Sequence, residues 1–127
     1  MNENVEDRPA ATRVYVCVTC RREGDGEVRA GQRLHDALAG FCDIDPNLAI
    51  IPVECLSVCK RPCTVSFASP GKWTYVYGDL PPETSAETVR DAALLYHAAP
   101  DGLIPWRLRP DDIKKGVIAR VPPLPVD

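Results

Sequence analysis

Six cysteines are the residues of this sequence best suited to chemistry, and five of them fall into two close groups. Cys17 and Cys20 form a C-x2-C pair, while Cys55, Cys59 and Cys63 form a C-x3-C-x3-C group. Thiolates are soft ligands, and four of them satisfy either a tetrahedral zinc ion or a [2Fe-2S] cluster. The spacing of the two groups therefore predicts one metal centre built from two loops.

The three cysteines of the second group are not equally suited to a shared centre. If residues 55–60 turn helically, Cys55 and Cys59 lie at i and i+4 on one face of the turn. Pro62 disfavours a helical conformation at the residue before it, so the turn is expected to end before Cys63. Cys63 is therefore an alternative ligand, equally well explained as a buried apolar residue. The predicted ligands are Cys17, Cys20, Cys55 and Cys59.

Hydrophobic patterns predict the elements that position these cysteines. Cys17 lies near the end of the first predicted strand, and Cys55 directly follows the second, whose continuous apolar run is typical of a parallel pair. Because neighbouring parallel strands end at the same sheet edge, two loops distant in sequence are expected to meet there. The predicted strands are Arg13–Thr19, Leu48–Glu54, Thr64–Ala68 and Trp73–Tyr77, and the predicted helices are 27–41, Ser85–Ala99 and a short one at Asp111–Lys115.

The order of these elements predicts an α/β fold with a mixed four-stranded sheet flanked by helices. The thioredoxin-like fold has this order. We expect residues 1–12 to be a disordered N-terminus and residues 13–99 to form the metal-binding domain. Residues 100–127 hold much of the proline and are expected to be an irregular extension, packed on the domain and ending in a loose tail.

Composition excludes several classes of protein. The formal charge of −3 provides no basic field for binding nucleic acid. The opening MNENVEDRPA lacks the pattern of a secretory signal, and the longest apolar run, Leu48–Val53, is too short to span a bilayer. We therefore expect a cytoplasmic protein without membrane contact, in which structural disulfides are rare and clustered cysteines indicate a metal.

Residues 13–99 resemble the thioredoxin-like [2Fe-2S] ferredoxins and the matching cluster subunit of respiratory complex I. The segments that carry the resemblance are VYVCVTC and ECLSVCKRPCTVSFASPGKWTYVYGDL. The resemblance implies that Cys17 matches the first ligand of those ferredoxins and that Cys55 and Cys59 match the last two. Their second ligand lies in a long loop well after the first, whereas this chain offers only Cys20. Over its full length, the chain is similar to an uncharacterised bacterial family of predicted metal-binding proteins.

The resemblance implies an electron carrier, with a redox partner protein, rather than an enzyme. The sequence itself does not indicate an oligomeric state, but those ferredoxins commonly dimerise, so the resemblance is compatible with a homodimer. Basic residues adjoin the predicted ligands. One interpretation is that they stabilise the more negative reduced cluster or attract an acidic redox partner, and the other is that they form an ordinary solvated edge. These basic residues are Arg21, Arg22, Lys60 and Arg61.

Two alternatives use the same cysteines. A zinc-binding adaptor or metal chaperone would hold its ion with the same thiolates. A thioredoxin-like thiol–disulfide oxidoreductase would use Cys17 and Cys20 as its dithiol. The glycine-containing loop between Cys20 and the first predicted helix argues against this enzyme, because such enzymes lower a thiol pKa at a helix N-terminus.

Other residues with chemical potential have simpler explanations. His35 and His97 lack ligand spacing to any cysteine and are expected at helix surfaces or ends. Cys42 stands alone near a helix end and is expected to be a small buried side chain. Trp106, between a proline and an arginine, is expected either to cover the cysteine site or to anchor the C-terminal tail.

Overall fold

The computed structural model describes residues 12–21, 24–42, 47–57, 60–82 and 84–124. The predictions made for Cys59, Arg22 and the side chain of Cys42 lie outside the described residues. So does the predicted N-terminal segment, except for Thr12.

Five strands form one mixed sheet. In chain order they are β1 (Thr12–Cys17), β2 (Leu48–Val53), β3 (Val65–Ala68), β4 (Thr74–Tyr77) and β5 (Val117–Val121). Across the sheet the order is β2-β1-β3-β4-β5. β1 and β2 are parallel, and the three other pairings are antiparallel. The mixed α/β class and the parallel first pair are therefore as predicted.

Three α-helices and one short 3-10 helix complete the described structure. They are α1 (Ala30–Cys42), α2 (Ser85–Ala98), the 3-10 helix Trp106–Leu108 and α3 (Asp111–Gly116). α1 and α2 pack against each other and against the sheet. Between them and the sheet lies the main core, in which Leu34, Phe67 and Tyr96 are fully buried. Among the described residues no helix combines the length and the apolar character that crossing a membrane requires.

The prediction of four strands was wrong, because the C-terminal segment adds a fifth. β5 pairs antiparallel with β4, and the end of α3 directly before it is held by a hydrogen bond from Gly78 N–H to the Gly116 carbonyl at 2.8 Å. Most of β5 is exposed, so its sequence lacks the apolar alternation that identifies a half-buried strand. The short helix at Asp111 was predicted, and its buried residue Ile113 packs into the main core.

Candidate metal centre

The parallel pairing of β1 and β2 brings the two cysteine loops together. Cys17 is in register with Val53, and Val18 N–H donates to the Val53 carbonyl at 2.9 Å just beyond the strands. Cys17 Sγ lies 3.6 Å from the carbonyl oxygen of Glu54, and the Thr19 hydroxyl donates to the same oxygen. The loop after β1 therefore contacts the loop after β2 one residue before Cys55.

The buried thiols of Cys17 and Cys20 influence each other's pKa. Burial alone would raise the pKa of Cys17, but hydrogen bonds with the Thr19 hydroxyl and the Cys20 thiol lower it below its ordinary value. Burial and the hydrogen bond to Cys17 raise the pKa of Cys20 to about 11. Cys20 Sγ also lies 3.8 Å from the Thr64 hydroxyl oxygen. One member of the pair is thus suited to ionise and the other to keep its proton.

The loop after β2 directs backbone N–H groups at two sulfur atoms. Ser57 N–H donates to Cys55 Sγ at 3.1 Å, and the backbone N–H of Leu56 hydrogen-bonds to Cys17 and lowers its pKa. Ser57 adopts a φ of 63°, which turns the chain back towards Cys55. N–H···S hydrogen bonds stabilise negative charge on sulfur and surround the thiolate ligands of metal centres. The loop is therefore suited to hold thiolates.

The predicted ligands are only partly gathered in the described residues. Cys17 and Cys20 form a pair, whereas the side chain of Cys55 is exposed on the neighbouring loop. Among the described residues no three Cys, His, Asp or Glu side chains lie close enough to hold a metal ion. Cys59 lies outside this part of the chain, so its place relative to the other three stays a prediction.

Cys63, the alternative ligand, lies in the main hydrophobic core. Its side chain is fully buried, and its backbone exchanges two hydrogen bonds with Leu80. Of the two explanations that the sequence left open for this residue, its environment favours the buried apolar one.

The N-terminus of α1 packs directly on the loop that joins Cys17 and Cys20. Gly31 N–H donates to the Cys20 carbonyl at 3.1 Å, and a Cβ atom at Gly31 would overlap the Cys17 carbonyl oxygen. Ala30 N–H donates to the Asp25 carboxylate at 2.9 Å. The first N–H groups of the helix thus bind oxygen atoms and not the thiols.

Sequence reasoning missed Asp25 and Gly31 as positioning residues. Asp25 has a nearly buried carboxylate, 8% exposed, that also pairs with Arg33 at 2.7 Å. The helix was predicted to begin at residue 27, which places Asp25 too early to be recognised as its cap. The sequence did contain a signal for this cap, namely an acidic residue a few positions before the apolar pattern of the helix.

Basic side chains near the cysteines have different partners. Arg21 and Lys60 are exposed, whereas Arg61 pairs with Asp79 at 2.6 Å. Arg29 donates to the Thr19 carbonyl at 3.4 Å and borders an open groove of about 380 Å³ beside the Cys17–Cys20 loop. Of the basic side chains that the sequence places next to the cysteines, Arg61 is therefore neutralised by Asp79, while Arg21 and Lys60 face solvent.

Solved structures of similar fold are thioredoxin-like [2Fe-2S] ferredoxins from Aquifex aeolicus. One is 19% identical and has a TM-score of 0.56, with 87% of this chain and 92% of the ferredoxin covered. A second, the wild-type crystal structure at 1.5 Å resolution, is 21% identical with a TM-score of 0.54, covering 86% of this chain and 97% of that one. At this identity the similarity establishes the fold, and the predicted thioredoxin-like fold is confirmed.

Comparisons of sequence place the chain in a family. No curated protein of related sequence was found. The sequence profile of a protein family of unknown function, DUF1636, matches residues 14–123. This match extends from β1 to beyond the end of β5 and includes both cysteine groups. The chain therefore belongs to the DUF1636 family.

Proposed function

We propose that this protein is an electron carrier that holds a [2Fe-2S] cluster with the thiolates of Cys17, Cys20, Cys55 and Cys59. The observation that carries the proposal is the contact between the cysteine loops, where Cys17 Sγ lies 3.6 Å from the carbonyl oxygen of Glu54, the residue before Cys55. The ferredoxin-like fold supports the same conclusion. Four cysteine thiolates are the usual donor set of such a cluster.

The residues around the thiols fit a thiolate centre. A bound cluster supplies one-electron redox chemistry, and the protein supplies ligands and an environment that sets the potential. The N–H groups of Leu56 and Ser57 stabilise negative charge on Cys17 and Cys55. Cys20, whose pKa burial raises to about 11, would give up its proton to serve as a ligand. Gly31 holds the Cys17–Cys20 loop against α1, and Asp25 binds the first N–H group of that helix.

An acidic redox partner protein is the proposed recipient or donor of the electron. Arg21 follows Cys20 directly, Lys60 follows Cys59, and both side chains are exposed. Exposed cations next to a redox centre steer an acidic partner and favour the more negative reduced state.

One observation favours a second candidate, a thiol–disulfide oxidoreductase. The buried thiols of Cys17 and Cys20 influence each other's pKa, and the pKa of Cys17 is lowered. However, the first N–H groups of α1 are occupied by the Asp25 carboxylate and the Cys20 carbonyl, so they do not stabilise a thiolate. A dithiol enzyme also leaves Cys55 without a role. A zinc-binding adaptor would use the same four thiolates without redox activity.

Anaerobic purification followed by visible spectroscopy and metal analysis separates the three candidates. We expect a brown protein that contains iron and sulfide and bleaches with dithionite. A colourless protein with stoichiometric zinc would refute the electron carrier. A protein without metal that reduces insulin disulfides would instead identify the oxidoreductase.

A further inference from the structure

A turn in the C-terminal segment exposes two large apolar side chains. Trp106 is 59% and Leu108 is 51% exposed, and both lie in the 3-10 helix between Pro105 and Pro110. The prediction that Trp106 covers the cysteine site or anchors the tail does not explain this exposure. The two side chains lie two residues apart in the chain, and large apolar groups left in solvent close together mark contact surfaces.

Two cations contact the Trp106 ring, and one of them, Arg109, is fixed to the core. The Arg109 guanidinium lies 5.4 Å from the Trp106 ring centre and 5.7 Å from that of Tyr75. Arg109 also donates to the Ile104 carbonyl at 2.9 Å and to the Tyr75 hydroxyl at 3.3 Å. Lys114 Nζ lies 5.4 Å from the Trp106 ring centre. Because the ring is already positioned, a partner that covers it loses little side-chain entropy.

The charge of this segment is opposite to that of the rest of the chain. Residues 105–115 hold four of the 15 Lys and Arg residues and two of the 18 Asp and Glu residues, so they carry +2 while the remainder carries −5. Arg107 and Lys115 are exposed. In the chain they lie within two residues of Arg109 and Lys114, the cations that contact the Trp106 ring. The carboxylates of Asp111 and Asp112 belong to the first turn of α3, where the helix N-terminus stabilises them.

We propose that this surface docks an acidic protein segment that presents an apolar side chain to Trp106. We name the surface the Trp106 patch; it consists of Trp106, Arg107, Leu108, Arg109, Lys114 and Lys115. Tryptophan and arginine dominate binding energy at protein interfaces, and basic rim residues select acidic partners. An acidic protein segment offers carboxylates to the basic side chains and an apolar group to Trp106, whereas the surface of duplex nucleic acid offers mainly phosphates. The contacts described for the Trp106 patch involve no cysteine, so this proposal does not depend on the proposed function.

The test uses the full chain and a fluorescent synthetic peptide in which glutamates flank leucines. Anisotropy is expected to show saturable binding, and the Trp106 indole N–H signal is expected to shift in NMR spectra. We expect Trp106→Ala to abolish binding and the double variant Arg107→Glu, Lys115→Glu to weaken it at least about tenfold. The control is Arg13→Glu, because Arg13 is exposed on β1 and outside the patch; it is expected to bind like the wild type.

Three results would overturn the proposal. The first is the absence of saturable binding by a chain whose circular dichroism shows that it is folded. The second is equal binding of polyglutamate, which would show that the apolar contact has no role. The third is tighter binding to phosphatidylglycerol vesicles or duplex DNA than to the peptide, which would assign the patch to another class of partner.

Discussion

At the residue scale, the environment of each cysteine determines what its sulfur can do. Cys17 has hydrogen bonds that favour its thiolate, while burial favours the neutral thiol of its neighbour Cys20. Cys55 is exposed and receives a hydrogen bond from a backbone N–H, whereas Cys63 is fully buried in the main core. The same residue type thus divides into three candidate ligands and one core residue among the described positions.

Substitution of Cys20 and Cys63 tests this division. If Cys20 is a ligand, Cys20→Ala should lose the visible absorption and the iron of the purified protein. The matched variant Cys63→Ala should keep both and lower the free energy of unfolding by about 1–2 kcal/mol, because it leaves a small void in the core. Loss of the chromophore in Cys63→Ala, with its retention in Cys20→Ala, would exchange the two assignments.

The hydroxyl group of Tyr96 is expected to make the free energy of unfolding depend on pH. Its ring is fully buried, its hydroxyl donates to the Trp73 carbonyl, and burial raises its pKa from 10 to about 12. The folded state therefore binds the phenolic proton more tightly than the unfolded state. The resulting stability is complete below pH 10 and is lost as the pH rises through 12.

Tyr96→Phe should show this loss directly in chemical denaturation across that pH range. At neutral pH the variant is expected to be about 1 kcal/mol less stable, because the Trp73 carbonyl loses its donor. From pH 10 upwards its free energy of unfolding should fall less steeply than that of the wild type. Parallel pH profiles for the two proteins would show that Tyr96 makes no such contribution.

At the element scale, α1 determines the position of the Cys17–Cys20 loop. The helix begins against that loop, and Gly31 leaves the space that the Cys17 carbonyl occupies. On the same helix, Gly40 is exposed, and a Cβ atom there would meet nothing within 4 Å. Two glycines of one helix therefore differ in whether the fold requires them.

Gly31→Ala and Gly40→Ala form a matched pair. Alanine favours helix at both positions, so Gly40→Ala should raise the free energy of unfolding by about 0.5–1 kcal/mol. Gly31→Ala should lower it by about 1–3 kcal/mol, since the new methyl group forces the loop away from the helix. We also expect Gly31→Ala to bind less iron than Gly40→Ala. Equal iron content would show that the site tolerates movement of the loop.

Sequence patterns predicted most elements of this fold because local periodicity identified them. β1, β2, the β3–β4 hairpin, α2 and the short α3 lie within one or two residues of their predicted bounds. The pairing of Cys17 with the end of β2 also followed from strand order. β5 was missed because its structure depends on pairing with β4 and not on an apolar pattern. The start of α1 was misplaced because its cap, Asp25, reaches the helix across a loop.

At the scale of the whole molecule, the C-terminal segment is part of the folded core. β5 forms one edge of the sheet beside β4. The fully buried Ile113 of α3 belongs to the same core cluster as the buried side chains of α2. Arg109 joins the buried Tyr75 to the exposed Trp106. The Trp106 patch is therefore anchored to the same core that supports the strands leading to Cys17 and Cys55.

Ile113→Ala tests whether this segment unfolds together with the rest of the chain. Removing a fully buried isoleucine side chain is expected to lower the free energy of unfolding by about 2–5 kcal/mol. If the molecule is one cooperative unit, tryptophan fluorescence and far-ultraviolet circular dichroism should shift to the same lower denaturant midpoint. Leu124→Ala is the control, since Leu124 is 87% exposed and its loss should change neither midpoint. Separate midpoints for the two signals in Ile113→Ala would show that the C-terminal segment unfolds independently of the sheet.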